Sequence, residues 1–464
     1  MESGVSSGVW RSATTNRTVK AWCKPTSFTK PFYFISLADT QLGMVQGALG
    51  STFLPLVGWK GGNSTAAIYD AEKEMSKLTV KYINKLNPLP VFVIVCGDLV
   101  HSMPSNLQAQ NLEVQDFKSI FSKLNQNVKL MCLCGNHDVG DKPTPMTIDL
   151  YKRRFSDDYY SFWYEGVKFM VLNSQLYKFD ENAKQLSMEQ EKWFDEQLIE
   201  MKNQLLSSNN MKKKKKNGNK IDNNSNETNN KTTATTTTTT TATTNNKETI
   251  STSILTSSSP TTTTTTTPRC CVFTHIPPFI ENQNEGNGYF PLDKSVRLKL
   301  LKRLSNHNCT HWFSGHYHRN VEGTYINEET GQSIECVTSG AVGGNIINDT
   351  NGDPKELNGM KELRLDKNLS GMRFVFVKHN CMNHCYLTLN DLETKYHLND
   401  DDDGGDQVKF DINKIERDQF SIVNIIDRDG NDGDGNGDIL SLDGSSSSSI
   451  DTDNNIIKKK LKKK

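Results

Sequence analysis

The stretch Val128-Lys129-Leu130-Met131-Cys132-Leu133-Cys134-Gly135-Asn136-His137-Asp138 decides how this chain is to be read. Its first part, the run 128–132, has the length and apolar character of a buried strand. Asn and His side by side at the end of such a strand are costly to bury and hard to explain as packing. Asn136 offers a hard amide oxygen, and His137 an imidazole able to serve as ligand, acid or base. Gly135 before them lets the backbone turn sharply enough for both side chains to face one cavity. The turn is therefore expected to carry a metal ligand and an acid–base group.

Outward from that turn, the same punctuation recurs. The apolar run 32–37 ends in Ala38-Asp39-Thr40-Gln41, and the run 91–95 ends in Gly97-Asp98. Cys271-Val272-Phe273-Thr274 runs into His275-Ile276-Pro277-Pro278, and Trp312-Phe313-Ser314 into Gly315-His316-Tyr317-His318. Helical spacing appears between these runs. It is clearest at 66–86, through Ile68, Met75, Leu78, Ile83 and Leu86 up to the stop Asn87-Pro88, and again at 114–124, 188–201 and 297–304. Further strands are expected at 162–164 and 169–172 around Glu165-Gly166, and at 333–338, 372–377 and 386–389. Apolar runs instead of alternation, separated by helices, imply an α/β fold whose sheet is covered on both faces. A Gly-rich loop at 43–62, holding Phe53, Leu54, Leu56 and Trp59, is long enough to overhang Asp39.

Composition limits the alternatives. The 464 residues are 35% hydrophobic and carry a formal net charge of +0, so no basic excess points to nucleic acid. No apolar run reaches the roughly 20 residues needed to cross a bilayer, so no membrane partner is expected. The first 20 residues lack an apolar core and a cleavage site, which reads as a soluble, cytoplasmic protein. The 10 cysteines are scattered, and in a reducing compartment they behave as small hydrophobes. Cys381, His384 and Cys385 are a weak zinc pattern, because no second pair stands at ligand spacing and Met382-Asn383 suits a turn.

The boundaries follow from the same composition. Residues 1–30 read as a loose polar arm and 31–398 as the folded domain. Within that domain, the Lys, Asn and Thr tract 206–268 is expected to be a disordered insertion, its basic run 212–216 a solvated spacer. Residues 399–464 read as a disordered tail, acidic at 400–403 and basic at its end, with 420–426 able to dock locally.

Taken together, the strand-end groups are Asp39, Gln41, Asp98, Asn136, His137, His275, His316 and His318. One isolated His at such a place is more often a satisfied core residue, but eight groups at five strand ends are not a coincidence of packing. Their oxygens and imidazoles suit Mn, Fe, Zn or Mg. The order Asp-x-Gln, Gly-Asp, Gly-Asn-His-Asp, His, Gly-His-Tyr-His resembles the calcineurin-like metallophosphoesterase family from about residue 31 to residue 392, and is nearest to its serine/threonine phosphatases.

That resemblance implies a four-layer α/β/β/α sandwich and two divalent metal ions. One ion would take Asp39, Gln41, Asp98 and His318. The other would take Asp98 as the shared bridge, with Asn136, His275 and His316. The ions would clamp a phosphate and lower the pKa of a bridging water, and His137 would protonate the leaving oxygen. The implied substrate is phosphoserine or phosphothreonine in proteins; a phosphodiesterase of cyclic nucleotides or lipid headgroups, or a non-catalytic module on the same fold, are the alternatives. Two departures stand out. Gln41 replaces the usual His, and His101 occupies the position where relatives place an Asp that orients the catalytic His and where a Tyr would mark a purple acid phosphatase. Arg319 is expected to clamp phosphate or, equally, to form a surface salt bridge, with His101 as a second substrate contact. The sequence leaves the oligomeric state open.

Overall fold

The computed structural model describes residues 17–44, 71–221, 269–347, 367–398 and 409–420, with backbone alone for 208–221 and for the short pairs 356–357, 360–361 and 363–364. Its main strands are β1 (Phe32–Leu37), β2 (Phe92–Cys96), β3 (Lys129–Leu133), β4 (Tyr160–Tyr164), β5 (Val167–Val171), β6 (Arg269–Phe273), β7 (Cys309–Ser314), β8 (Val321–Ile326), β9 (Ser333–Thr338), β10 (Gly371–Val377) and β11 (Met382–Thr388). The main helices are α1 (Ala71–Lys85), α2 (Leu107–Phe121), α3 (Pro145–Arg154), α4 (Lys184–Ile221), α5 (Lys294–Ser305) and α6 (Leu389–Thr394). One sheet has five strands in the order β11-β10-β1-β2-β3, and the other has six in the order β4-β5-β6-β7-β9-β8. Strands β1, β2 and β3 are mutually parallel, with β3 at one edge of its sheet, as are β5, β6, β7 and β9; antiparallel partners close the other three edges.

The two sheets face each other across an aromatic core. Phe34, Phe92, Phe162, Phe169, Phe273 and Phe313 come from β1, β2, β4, β5, β6 and β7 and are all buried. Stacked pairs such as Phe34–Phe92, centroids 4.5 Å apart, meet edge-on neighbours such as Phe92–Phe162 at 5.4 Å. That mixture suits the ring quadrupole. On the far face of the six-stranded sheet, Phe194, Leu198 and Met201 of α4 and Leu300, Leu301 and Leu304 of α5 pack on Met170, Val272, Trp312 and Ile334. The far face of the other sheet, including Tyr33, Ile35, Val93, Val95 and Phe374, is equally buried, and α1, α2 and α6 bury Met75, Val80, Ile83, Val114, Phe117 and Leu392. The result is the α/β/β/α sandwich.

Several boundaries move. The arm expected at 1–30 is tied down from Arg17 onward: Arg17 pairs with Asp158 at 3.0 Å, Val19 is buried, and Trp22 packs on Tyr164 at 4.9 Å and Phe162 at 5.7 Å. Two apolar anchors in a polar stretch carry no periodicity, yet they bury enough area to hold it. Helix α4 continues to Ile221, into the tract expected to be disordered from 206; the rest of that tract, 222–268, lies outside the described residues, as do 45–62 of the expected overhanging loop and 66–70 of the expected helix. The tail is not wholly structureless either. Phe410–Asp411 pairs in parallel with Leu86–Asn87, and the Phe410 ring meets Tyr396 at 5.5 Å. The chain divides into two units, 1–413 and 414–464; in the second, residues 414–420 are helical, with a Lys414–Asp418 ion pair at 2.7 Å, and 421–464 lie outside the described residues.

The Cys381–His384–Cys385 zinc pattern does not assemble. Met382 and Asn383 belong to β11 instead of a turn, so His384 and Cys385 point to opposite faces of the sheet, and Cys381 is exposed.

Candidate metal centre

Parallel pairing brings the ends of β1, β2 and β3 side by side, and it does the same for β6 and β7 in the facing sheet. The turns leaving them are stitched together: Asp39 N–H donates to the Gly97 carbonyl at 3.2 Å, Gln41 N–H to that of Asp98 at 2.9 Å, and Gly315 N–H to that of His275 at 3.0 Å. Asp39, Gln41, Asp98, His316 and His318 all have positive φ, between 39° and 68°. Left-handed backbone costs a non-glycine residue on the order of 1–3 kcal/mol, so five such residues converge only where the surroundings over-determine them. The glycines allow the approach. A Cβ on Gly135 would lie 2.1 Å from Asp98 Oδ1, and one on Gly315 would lie 2.5 Å from Asp39 Oδ2.

Seven of the eight strand-end side chains are buried: Asp39, Gln41, Asp98, Asn136, His275, His316 and His318. Asp98, His275 and His316 present ligand atoms within 4.8 Å of one another, and so do Asp39, Asp98 and His318; Asp98 belongs to both groups. His275 donates from Nδ1 to the Cys96 carbonyl at 2.9 Å. Its neutral ring then turns the Nε2 lone pair toward Asn136 Oδ1 at 3.0 Å and Asp98 Oδ1 at 3.4 Å. Acceptors face acceptors there. A proton on His275 is one answer: burial opposes it, but the Asp98 and Asp39 carboxylates and the Cys96 carbonyl together outweigh burial and lift the pKa to about 9. A metal ion shared by the acceptors is the other.

The remaining imidazoles are in ligand form. His318 donates from Nδ1 to the Gly344 carbonyl and holds Nε2 3.5 Å from Asp39 Oδ1. Burial holds His316 well below the usual imidazole range and takes His318 down to about 4, so both rings are neutral. Gln41 Oε1 and His316 Nε2 are buried with no hydrogen-bond partner among the described residues. Orphaned acceptors of this kind cost about 1–3 kcal/mol each unless something binds them. Imidazole, carboxylate and amide donors without a thiolate fit hard or borderline divalent cations.

His137 stands beside this cluster, with Nε2 3.9 Å from Asp98 Oδ2. Its Nδ1 donates to the backbone carbonyl of His101, which leaves Nε2 on the side of Asp98 and the cluster. The orienting carboxylate sought at position 101 is thus replaced by a main-chain oxygen. A carboxylate acts one step further back: Glu113 accepts from His101 N–H at 3.1 Å, Ser102 N–H at 2.7 Å and Ser102 Oγ at 2.6 Å. The His101 ring stacks on His137 at 5.0 Å, and burial, reinforced by His137, lowers its pKa to about 4. Asp138 accepts from Gly135 N–H at 2.8 Å and Leu99 N–H at 3.1 Å, locking the β2 and β3 turns together. Gln110 of α2 fixes the same turn by donating to the His137 carbonyl at 3.1 Å.

Arg319 turns onto Tyr317, donating from Nη1 to the phenol oxygen at 2.9 Å. Sequence reasoning passed over Glu113, Gln110 and Tyr289, whose hydroxyl lies 3.4 Å from Asn136 Nδ2. For Tyr289 the only signal was an aromatic pair, Tyr289-Phe290, in a loop otherwise rich in Asn and Gly.

Known proteins resemble this chain chiefly in sequence. The calcineurin-like phosphoesterase family profile matches residues 68–320. The serine/threonine-protein phosphatase CPPED1 of Mus musculus is 31% identical over 326 residues, covering 69% of this chain and 78% of that protein. The CPPED1 of Homo sapiens is 28% identical over 375 residues, covering 80% and 88%. Among solved structures, the purple acid phosphatase PPD1 from yellow lupin seeds is similar with a TM-score of 0.43 at 12% identity, over 80% of this chain and 53% of that one. A profile that spans more than half of the sequence, with relatives alike over most of it, places the chain in the calcineurin-like phosphoesterase family, as a hydrolase of phosphate esters.

Proposed function

We propose that the chain is a two-metal phosphomonoesterase acting on phosphoserine and phosphothreonine in proteins. The observation that carries the reading is the pair of ligand groups sharing Asp98, with His137 held beside them. Asp39, Gln41 and His318 would hold one divalent cation with Asp98, and Asn136, His275 and His316 the other. Such cations, when bound, supply charge that polarises phosphoryl oxygens and acidifies water.

The chain's own residues do the rest. The carbonyl of His101 fixes the His137 ring, so the Nε2 proton of the charged ring is aimed at the departing serine or threonine oxygen. Protonation there avoids expelling a bare alkoxide. Arg319, next to His318 in sequence and held on the Tyr317 phenol at 2.9 Å, would be the phosphate clamp of this reading once it leaves that phenol. The relatives are named serine/threonine-protein phosphatases, which supports a protein substrate. Ten free cysteines, eight of them at least partly buried, suit a reducing compartment such as the cytoplasm. No helix among the described residues is long and apolar enough to cross a membrane.

The test uses the full-length chain. Elemental analysis should find about two divalent ions per chain, chelation should abolish turnover and Mn should restore it, and a phosphopeptide should be hydrolysed faster than an aryl phosphodiester. Preference for the diester would move the reading to a phosphodiesterase. Absence of bound metal would end it.

A further inference from the structure

A loop held by two buried cations closes over the metal centre. Arg297 of α5 is fully buried and gives its guanidinium to the main chain of that loop: Nε to the Gln283 carbonyl at 3.1 Å, Nη1 to that of Leu292 at 2.8 Å, and Nη2 to that of Glu285. From the other side Lys178, its side chain 5% exposed, gives Nζ to the Gly288 carbonyl at 2.7 Å, the Pro291 carbonyl at 2.9 Å and Asp293 Oδ1 at 2.7 Å. Burying two cations is costly, and here both are spent on one irregular stretch. What they hold in place is Tyr289-Phe290. The Tyr289 ring lies 5.0 Å from the His316 ring, and Phe290 lies 5.6 Å from His316 and 4.9 Å from Tyr317.

The hydroxyl of Tyr289 is the informative atom. Asn136 Nδ2 donates to it at 3.4 Å, so the phenol oxygen is the acceptor in that contact and keeps its own proton to give elsewhere. The residue is 56% exposed, which places this donor at an open mouth, next to a side chain assigned to the metal centre. A ring that only shielded the metals would need no hydroxyl and no contact with Asn136.

We propose that Tyr289 binds the substrate directly, donating its phenolic hydrogen bond to a non-bridging phosphoryl oxygen, with the Tyr289 and Phe290 rings flanking the peptide that carries the phosphate. This rests on the phosphomonoesterase reading and on the ligand role of Asn136. The donor is preset, because Arg297 and Lys178 hold the loop before substrate arrives.

Tyr289→Phe removes one oxygen and leaves the ring. In the full-length, Mn-reconstituted protein the substitution should weaken inorganic phosphate, measured by calorimetry, about 10-fold, and lower kcat/KM for an aryl phosphate monoester about 10- to 100-fold, as for a hydrogen bond to a charged group. Metal per chain should stay at the wild-type level. Tyr289→Ala, with its fold checked by thermal melting, should lose at least as much phosphate affinity. Wild-type phosphate binding in Tyr289→Phe overturns the inference, and so does loss of metal, which would make Tyr289 a support of the centre. If the wild type binds phosphate and hydrolyses no monoester, the phosphomonoesterase reading fails, while a weakened Tyr289→Phe still upholds the phosphate contact. If the wild type does not bind phosphate at all, both fall.

Discussion

Histidine and carboxylate meet twice between the same two sheets. At the strand ends are Asp39, Asp98, His275, His316 and His318; within strands β7, β9 and β11 are His311, Glu335 and His384. The ligand atoms of the second group also lie within 4.8 Å of one another, so residue type and distance do not separate the two. Their neighbours do. Arg373 donates to His384 Nδ1 at 2.8 Å and to Glu322 at 2.9 Å. A guanidinium only donates, so the neutral His384 ring must carry its proton on Nε2, which faces Glu335 Oε1 at 3.3 Å. Contact with His311 and His384 holds the Glu335 carboxyl well below its usual range. This cluster brings its own cation. At the strand ends, among the described residues, no lysine or arginine forms an ion pair with Asp39 or Asp98, and five residues there have positive φ. A cation site is therefore recognised by charge left unmet and by backbone held under strain, more than by the presence of ligands.

The strongest way to break that contrast is Asp98→Ala. Both ligand groups lose their shared carboxylate, and turnover and bound metal should fall together to background in elemental analysis and a phosphatase assay. Retention of either metal would show that Asp98 is not the bridge. His137→Ala should cost less and in a different way: kcat lower by about 10²- to 10⁴-fold, the range for a general acid, with metal retained. Metal loss equal to that of Asp98→Ala would make His137 a ligand.

The strand ends were legible because each polar group follows an apolar run directly, as in Cys96-Gly97-Asp98 and Ser314-Gly315-His316. The partner of His137 was not, because a main-chain carbonyl has no residue identity to read. Helix α2 begins at Leu107 where periodicity placed 114; its true start is the cap Asn106, which accepts from Ala109 N–H at 3.3 Å ahead of a polar turn. Helix α3 went unread although Thr144-Pro145 marks its start, since it buries only Ile148 and Tyr151. Trp22 and Tyr289 are long-range cases: their partners, Phe162 for the first and Asn136 for the second, lie far away along the chain.

The second cluster gives the finer tests. Arg373→Ala strips Glu322, His384, Asn320 and Ser339 of one buried donor group, and should destabilise the fold by about 1–3 kcal/mol in denaturant unfolding while bound metal is unchanged. His384→Ala is milder. Arg373 keeps Glu322, Asn320 and Ser339, and Glu335 keeps His311 Nε2 at 3.1 Å, so each charge retains a partner. The loss should be about 1 kcal/mol, the size of one ordinary hydrogen bond. Metal content is the sharper readout, because Arg373 already stands where a cation would be needed. A drop in bound zinc or manganese on replacing His384 would mean that the guanidinium gives way to a metal there, and that unmet charge is not what distinguishes the two clusters.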